Sequence, residues 1–417
     1  MIQFTGREIK MNDLLIRRAR LMDGQGTVDI AIKDGYIVAA GNNVAGSARQ
    51  MVDASGRLLI PAFVDAHTHL DKALTATDGG AGSLEAAIED FQRRSKDIDK
   101  NDLLARGRQV LRMALRHGTT AMRTHITVSE NLGLRGIEAA LELREEFAGK
   151  VDLQVIAMFS GPEPEPAPPL KELLEEALRL GVDGLGGAPH LSPGMQQWVD
   201  YIFELAGKYD VPIDLHADET DAPSVASLEY IASKTIQAGY QGRVVADHCC
   251  GLAAVDEATA GRTIAAVKEA GLSIITLPSC NLYLMGRNDK GLVRRGVTRV
   301  RELQAAGVNV AYASDNIRDA FRPFGNANML EEGLITAQVL QMGTPAELEQ
   351  VMKMGTYNAA AAMGLQDYGV KVGARADLVL LDATTPAGAI IGQVEKVCVI
   401  KGGRVAVRND KKSDIII

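Results

Sequence analysis

Two rhythms of apolar and polar residues run along the chain. Near the start, LLIRRARLMDG, VDIAIKDGYIVAAG and SARQMVDASGRLLI alternate apolar with polar positions and break at Asp-Gly or Ser-Gly. Alternation of this kind, punctuated by such turns, predicts short strands with one buried face. ADLVLLDA and KVCVIKGGRVAV repeat the pattern near the end. In between, short apolar runs alternate with longer stretches of helical period. LLIPAFVDAH, TTAMRTH, DLQVIAM, DGLGGA, PIDLHA, RVVADH, LSIITL and NVAYAS read as strands, with helices such as NDLLARGRQVLRMALRHG and PLKELLEEALRLG between them. Parallel strands need crossover connections. The pattern therefore predicts an α/β protein, a (β/α)8 TIM-type barrel over residues 62–364. Residues 1–61 and 365–417 are expected to form one small β-sandwich domain made from both chain ends. The proline-rich GPEPEPAPPL, residues 161–170, reads as a loop after a barrel strand.

Composition narrows the function without naming it. At 417 residues the chain is too long for one ordinary compact domain. A net charge of −8 argues against a nucleic-acid partner, which calls for a basic face. No apolar run approaches the roughly 20 residues that span a bilayer, and MIQFTGREIKMNDLLIRRAR has no signal-peptide core. Met11 is an alternative start. The four cysteines, Cys249, Cys250, Cys280 and Cys398, lack metal-ligand spacing and read as buried or free thiols of a reducing cytoplasm. The expected setting is cytoplasmic and homo-oligomeric, with a small molecule as partner and neither nucleic acid nor membrane.

The chemistry lies at the C-terminal ends of the predicted barrel strands, where barrels build their active sites. The first strand ends in His67-Thr68-His69, the fifth in His216 with Glu219 three residues on, the sixth in His248 and the eighth in Asp315. Only seven histidines exist, and four fall here. Residues two apart in an extended segment point to one side, so His67 and His69 can meet one metal. His216 and Asp315 can complete a nitrogen-rich site with a position open for water. A divalent ion lowers the pKa of that water. Glu219 and His248 then remain to move protons, which a departing amino group and a ring nitrogen both require. Each piece alone has a plainer reading: a polar strand end for His-Thr-His, a satisfied histidine for His216, a turn or cap for Asp315, a local capping pair for His216 and Glu219. Their joint placement carries the metal reading. Of the other histidines, His117 ends a helix and suits its dipole. His125 closes the second strand and points toward the site region. His190 follows the fourth strand, with substrate contact as its lesser reading.

PAFVDAHTHLDK, DLHADETD, VADH and ASDNIRDAF together resemble the amidohydrolase superfamily, within it the bacterial cytosine deaminase group, over about residues 12–408. The resemblance implies one divalent metal ion, Zn or Fe, on His67, His69, His216 and Asp315. It implies Glu219 for proton shuttling and substrate contact, His248 for orienting water, and Asp315 as proton acceptor as well as ligand. DGLGGAPH carries no lysine at the fourth strand, which fits a single ion. The chain departs from cytosine deaminases where a glutamine would hold the pyrimidine edge; Ser160 stands nearest that place. Its ASDNIRD stretch is more similar to the N-isopropylammelide isopropylaminohydrolases. Arg318 is therefore expected to face a carbonyl-rich or anionic ring edge, with Phe321 as stacking wall and Asn281 at the site mouth, and cytosine is expected to be a poor substrate.

The leading function is hydrolytic deamination of an aminated nitrogen heterocycle, cytosine-like, pterin, triazine or creatinine-like, with release of ammonia. The alternative is cleavage of a ring amide or N-alkylamine bond by the same metal-activated water. A barrel that binds without turnover is a third reading, and the complete ligand and proton-transfer set argues against it.

Overall fold

The computed structural model describes residues 11–410 except 23, 25, 77, 78 and 160–162. Its contacts divide the chain into two compact units, Met1–Ala62 with Gln366–Ile417, and Phe63–Leu365.

The larger unit is an eight-stranded parallel barrel with helices between the strands. The strands are β1 (Phe63–Thr68), β2 (Thr119–Thr127), β3 (Asp152–Phe159), β4 (Gly184–Gly187), β5 (Ile213–Ala217), β6 (Val244–His248), β7 (Ser273–Thr276) and β8 (Asn309–Tyr312). Each pairs with the next in parallel. All nine residues of β2 and all six of β1 are buried, as expected of strands covered on both faces. The seam between β8 and β1 closes at the mouth. There Asp315 N–H donates to the His67 carbonyl at 2.9 Å, and Asp65 accepts from Ser314 N–H at 2.9 Å and Ser314 Oγ at 2.6 Å. In β4, a Cβ on Gly186 would lie 2.5 Å from the Asp214 carbonyl oxygen. Glycine is thus what lets β4 pack tightly against β5.

The helix Pro168–Leu180 starts on proline and stops at Gly181 with φ +92°, the asymmetry expected of helix ends. His117 occupies the C-cap of Lys100–Arg116.

The smaller unit holds two four-stranded sheets. One orders Tyr36–Gly41, Val28–Lys33, Asn12–Ala19 and Ala48–Asp53; the other Arg404–Arg408, Lys396–Lys401, Leu378–Leu381 and Leu58–Pro61. Ile16, Ile30, Leu59, Leu378, Leu380 and Ile400 share one buried core within it. LLIPAFVDAH, which reads as one strand, is two: Leu58–Pro61 pairs antiparallel with Leu378–Leu381, and Phe63–Thr68 opens the barrel.

Candidate metal centre and active site

The strand ends converge. His67 Nε2 lies 3.2 Å from His69 Nε2, and His69 Nε2 lies 3.4 Å from His216 Nε2. Asp315 Oδ1 stands 3.3 Å from His69 Nε2 and 3.6 Å from His67 Nε2. All four residues are buried.

The His69 tautomer follows from what lies behind the ring. His69 Nδ1 sits 3.1 Å from the His125 carbonyl, which can only accept, so Nδ1 carries the proton and Nε2 a lone pair. His67 Nδ1 lies 3.0 Å from the Asp247 carboxyl group. Ring nitrogens and a carboxylate oxygen thus crowd one point. Burial, then the neighbouring His125 ring, hold His67 well below its ordinary pKa, and burial dominates for His69 and His216 too, so these rings stay neutral. Ligand atoms about 2.1 Å from a tetrahedral metal lie roughly 3.4 Å apart, which matches the four separations. Both Asp315 oxygens are buried without a hydrogen-bond partner. His67, His69 and Asp315 form a buried group that can hold a metal ion, and His67, His216 and His248 form another that shares His67 with it. A third such group, His67, His125, Asp214 and Asp247, already has a cation: Arg123 Nη1 lies 2.5 Å from Asp214 Oδ2.

Around the centre the structure places the other expected residues unevenly. Glu219 and His248 line a cavity of about 330 Å³ at the barrel mouth, together with His69, His216, Asp315 and Phe321. His248 Nδ1 lies 3.3 Å from Glu219 Oε1, and His248 Nε2 lies 4.0 Å from Asp315 Oδ2. Burial, then the Asp315 charge, pushes the Glu219 carboxyl well above the usual range. Asn281 does not line the cavity; it stands behind, its amide 3.0 Å from His248 Nδ1 and 3.5 Å from Glu219 Oε1. Ser160 lies outside the described residues.

Arg318 corrects an expectation. It is exposed, its Nε donates to the Gly325 carbonyl at 2.8 Å, and it is no part of the cavity wall. The cation in the wall is Lys72, whose buried Nζ reaches Thr127 Oγ1 at 3.0 Å and lies 4.7 Å from the Phe91 ring centroid.

The arginine that matters to Asp315 is Arg322. Its Nη1 donates to the Ser314 carbonyl at 3.0 Å and the Asn316 carbonyl at 3.3 Å, on either side of Asp315. Its Nη2 pairs with Glu332 at 2.9 Å, both side chains being buried. Asp315 has φ +58°, a conformation that persists only where surroundings enforce it. Replacing Arg322 with Met should cost about 3–5 kcal/mol of stability by leaving Glu332 buried without its partner, and should weaken metal retention. Urea unfolding of Arg322→Met beside Arg322→Met/Glu332→Met checks this. A loss under about 1 kcal/mol in the single variant would show that the pair is not a brace.

A second layer lies beneath. The His125 ring stacks on His67 with centroids 4.1 Å apart, and its Nε2 lies 3.2 Å from Asp214. His190 Nδ1 reaches the His216 carbonyl at 3.1 Å, holding the backbone there rather than lining the cavity. Lys72, Asp214, Asp247, Arg322 and Glu332 were not singled out from the sequence. The signal for Asp214 and Asp247 was present: an acid inside an apolar strand, as in PIDLHA and VVADH, is costly unless paired.

A neutral histidine cage with one carboxylate, set at the mouth of an eightfold barrel, is the kind of centre metal-dependent hydrolases use. The chain belongs to the amidohydrolase family, which it matches over residues 50–122 and 108–407. It is 33% identical over 413 residues to N-isopropylammelide isopropyl amidohydrolase of Pseudomonas sp. (strain ADP), covering 95% of this chain and 98% of that one. It is 34% identical over 380 residues to pterin deaminase of Rhizobium rhizogenes, covering 87% and 83%. The crystal structure of 5-methylcytosine deaminase from Klebsiella pneumoniae liganded with 5-fluorocytosine superposes with a TM-score of 0.91 at 31% identity, covering 96% and 99%. Among the described residues no helix is long and apolar enough to cross a membrane.

Proposed function

We propose that the protein hydrolyses an amino group from a nitrogen heterocycle, using one divalent ion, Zn or Fe, held by His67, His69, His216 and Asp315. The observation that carries this is the set of four ligand-atom separations between 3.2 and 3.6 Å. The ion would acidify a water so that hydroxide is available near neutral pH. Asp315 Oδ2 has no hydrogen bond of its own and is placed to take a proton. Glu219, its carboxyl pushed up by burial, lines the cavity and can deliver its proton to a ring nitrogen, while the proton that Asp315 takes from the water goes to the departing amine. His248, held by Asn281 and Glu219, stands between Glu219 and Asp315 and orients the attacking water. Lys72 offers a positive group in the same wall, suited to a carbonyl-rich ring edge.

The test is ammonia release over a panel of cytosine, isocytosine, pterin, creatinine and ammelide, before and after chelation. Turnover of at least one ring, lost on chelation and restored by Zn²⁺ or Fe²⁺, is expected. N-isopropylammelide belongs in the panel because a relative at 33% identity bears its name. Isopropylamine release with no ammonia from any ring would replace deamination by N-alkylamine cleavage. Activity unchanged by complete metal removal would overturn both.

A further inference from the structure

The helix Leu84–Ser95, capped by Ser83, buries only Ala87 and Ser95. Its apolar residues Leu84, Ile88 and Phe91 follow the i, i+4, i+7 spacing that makes one stripe. All three are only half-buried, and all three line the cavity that holds Glu219, His248 and Asp315. Leu170, half-buried, and Leu191, which is 38% exposed, belong to the same lining. Beside the polar groups of the strand ends, the cavity thus has apolar side chains, interspersed with Gln92, Ser129 and Asn131, that the protein leaves partly uncovered. Its volume of about 330 Å³ is at the lower end for drug-sized ligands and exceeds what a bare six-membered ring fills. The rim carries the exposed carboxylates of Glu130 and Glu163, which repel an anionic group.

We propose that this apolar lining is a binding subsite for an apolar, uncharged substituent of the ring, carried on the edge away from the reacting amine. The inference rests on the reading of the site as a ring deaminase. The polar strand ends must hold the amine-bearing carbon beside Glu219 and Asp315, so the far edge of the ring points at Ile88 and Leu170. An alkyl group there covers apolar surface that otherwise meets water.

The experiment compares isocytosine with 6-propylisocytosine, and cytosine with 6-propylcytosine, on the metal-loaded enzyme. Both kcat/KM for ammonia release and Kd by calorimetry are measured. The propyl ring of at least one pair should be favoured about tenfold or more, the scale of hydrophobic pocket discrimination. In Ile88→Asn, and separately in Leu170→Asn, that ratio should fall at least about fivefold. Two variants on different helices guard against one simply misfolding, and thermal melts check both. Equal or weaker handling of the propyl ring in both pairs overturns the subsite. So does an unchanged ratio in both variants, or no measurable binding of any of the four rings. If rings bind but none releases ammonia, the deaminase reading fails while the Kd ratios still decide the subsite.

Discussion

Asp315→Ala should lose its bound metal and at least about ten-thousand-fold of its turnover, because one change removes both a ligand and a proton acceptor. Alanine fits poorly at φ +58°, so Asp315→Asn is the companion variant: asparagine tolerates that conformation and keeps the shape. It should fold as well as the wild type and still be inactive. Metal analysis, ammonia assay and thermal melts of both variants check this. Retained metal and activity in Asp315→Asn would remove Asp315 from the centre.

Glu219→Gln should lower kcat/KM about a hundred- to ten-thousand-fold while metal content stays at the wild-type level, since Glu219 is outside the ligand group. The pH profile gives the second readout. Burial, then the charge of Asp315 and that of Glu85, raises the Glu219 carboxyl well above its ordinary range. The working form is protonated, so activity is present below the raised pKa and falls as pH climbs through it. The wild type should therefore show an alkaline limb, and the Gln variant should be low and lack it. A variant with the same limb would assign that titration to another group.

The sequence made much of this site legible because strands have a fixed period. His67 and His69 share a side, and an apolar run names the strand end at which His216, His248 or Asp315 emerges. The barrel and the two β-rich ends followed from periodicity in the same way. What was not legible lies where period gives no guide. After Asp315 the backbone turns irregularly, with Asp319 accepting from the N–H groups of Phe321 and Arg322. Closeness in sequence to Asp315 thus pointed at Arg318, whereas the buried fork belongs to Arg322, four residues further on. Asn281 was expected at the cavity mouth, but it stands behind His248 because the short helix Pro278–Leu284 buries it. Lys72 sits within the HTHLDK run, yet only the folded chain shows its Nζ beside Thr127 and the Phe91 ring.

The seam of the barrel has a consequence for synthesis. β1 begins at Phe63, and its partner β8 ends at Tyr312, three residues before Asp315. The His67 carbonyl has no Asp315 amide to receive until nearly the whole barrel has emerged from the ribosome. His67 and His69 are made early and must wait, open to water and to stray metal, while about 250 further residues are added at roughly 5–20 residues per second. A chain stopped short of residue 315 has two or three of the imidazoles but neither the carboxylate nor the closing bonds. Closure of the seam is therefore an event of the nearly finished chain, and the order of translation itself sets when these strand ends can first come together.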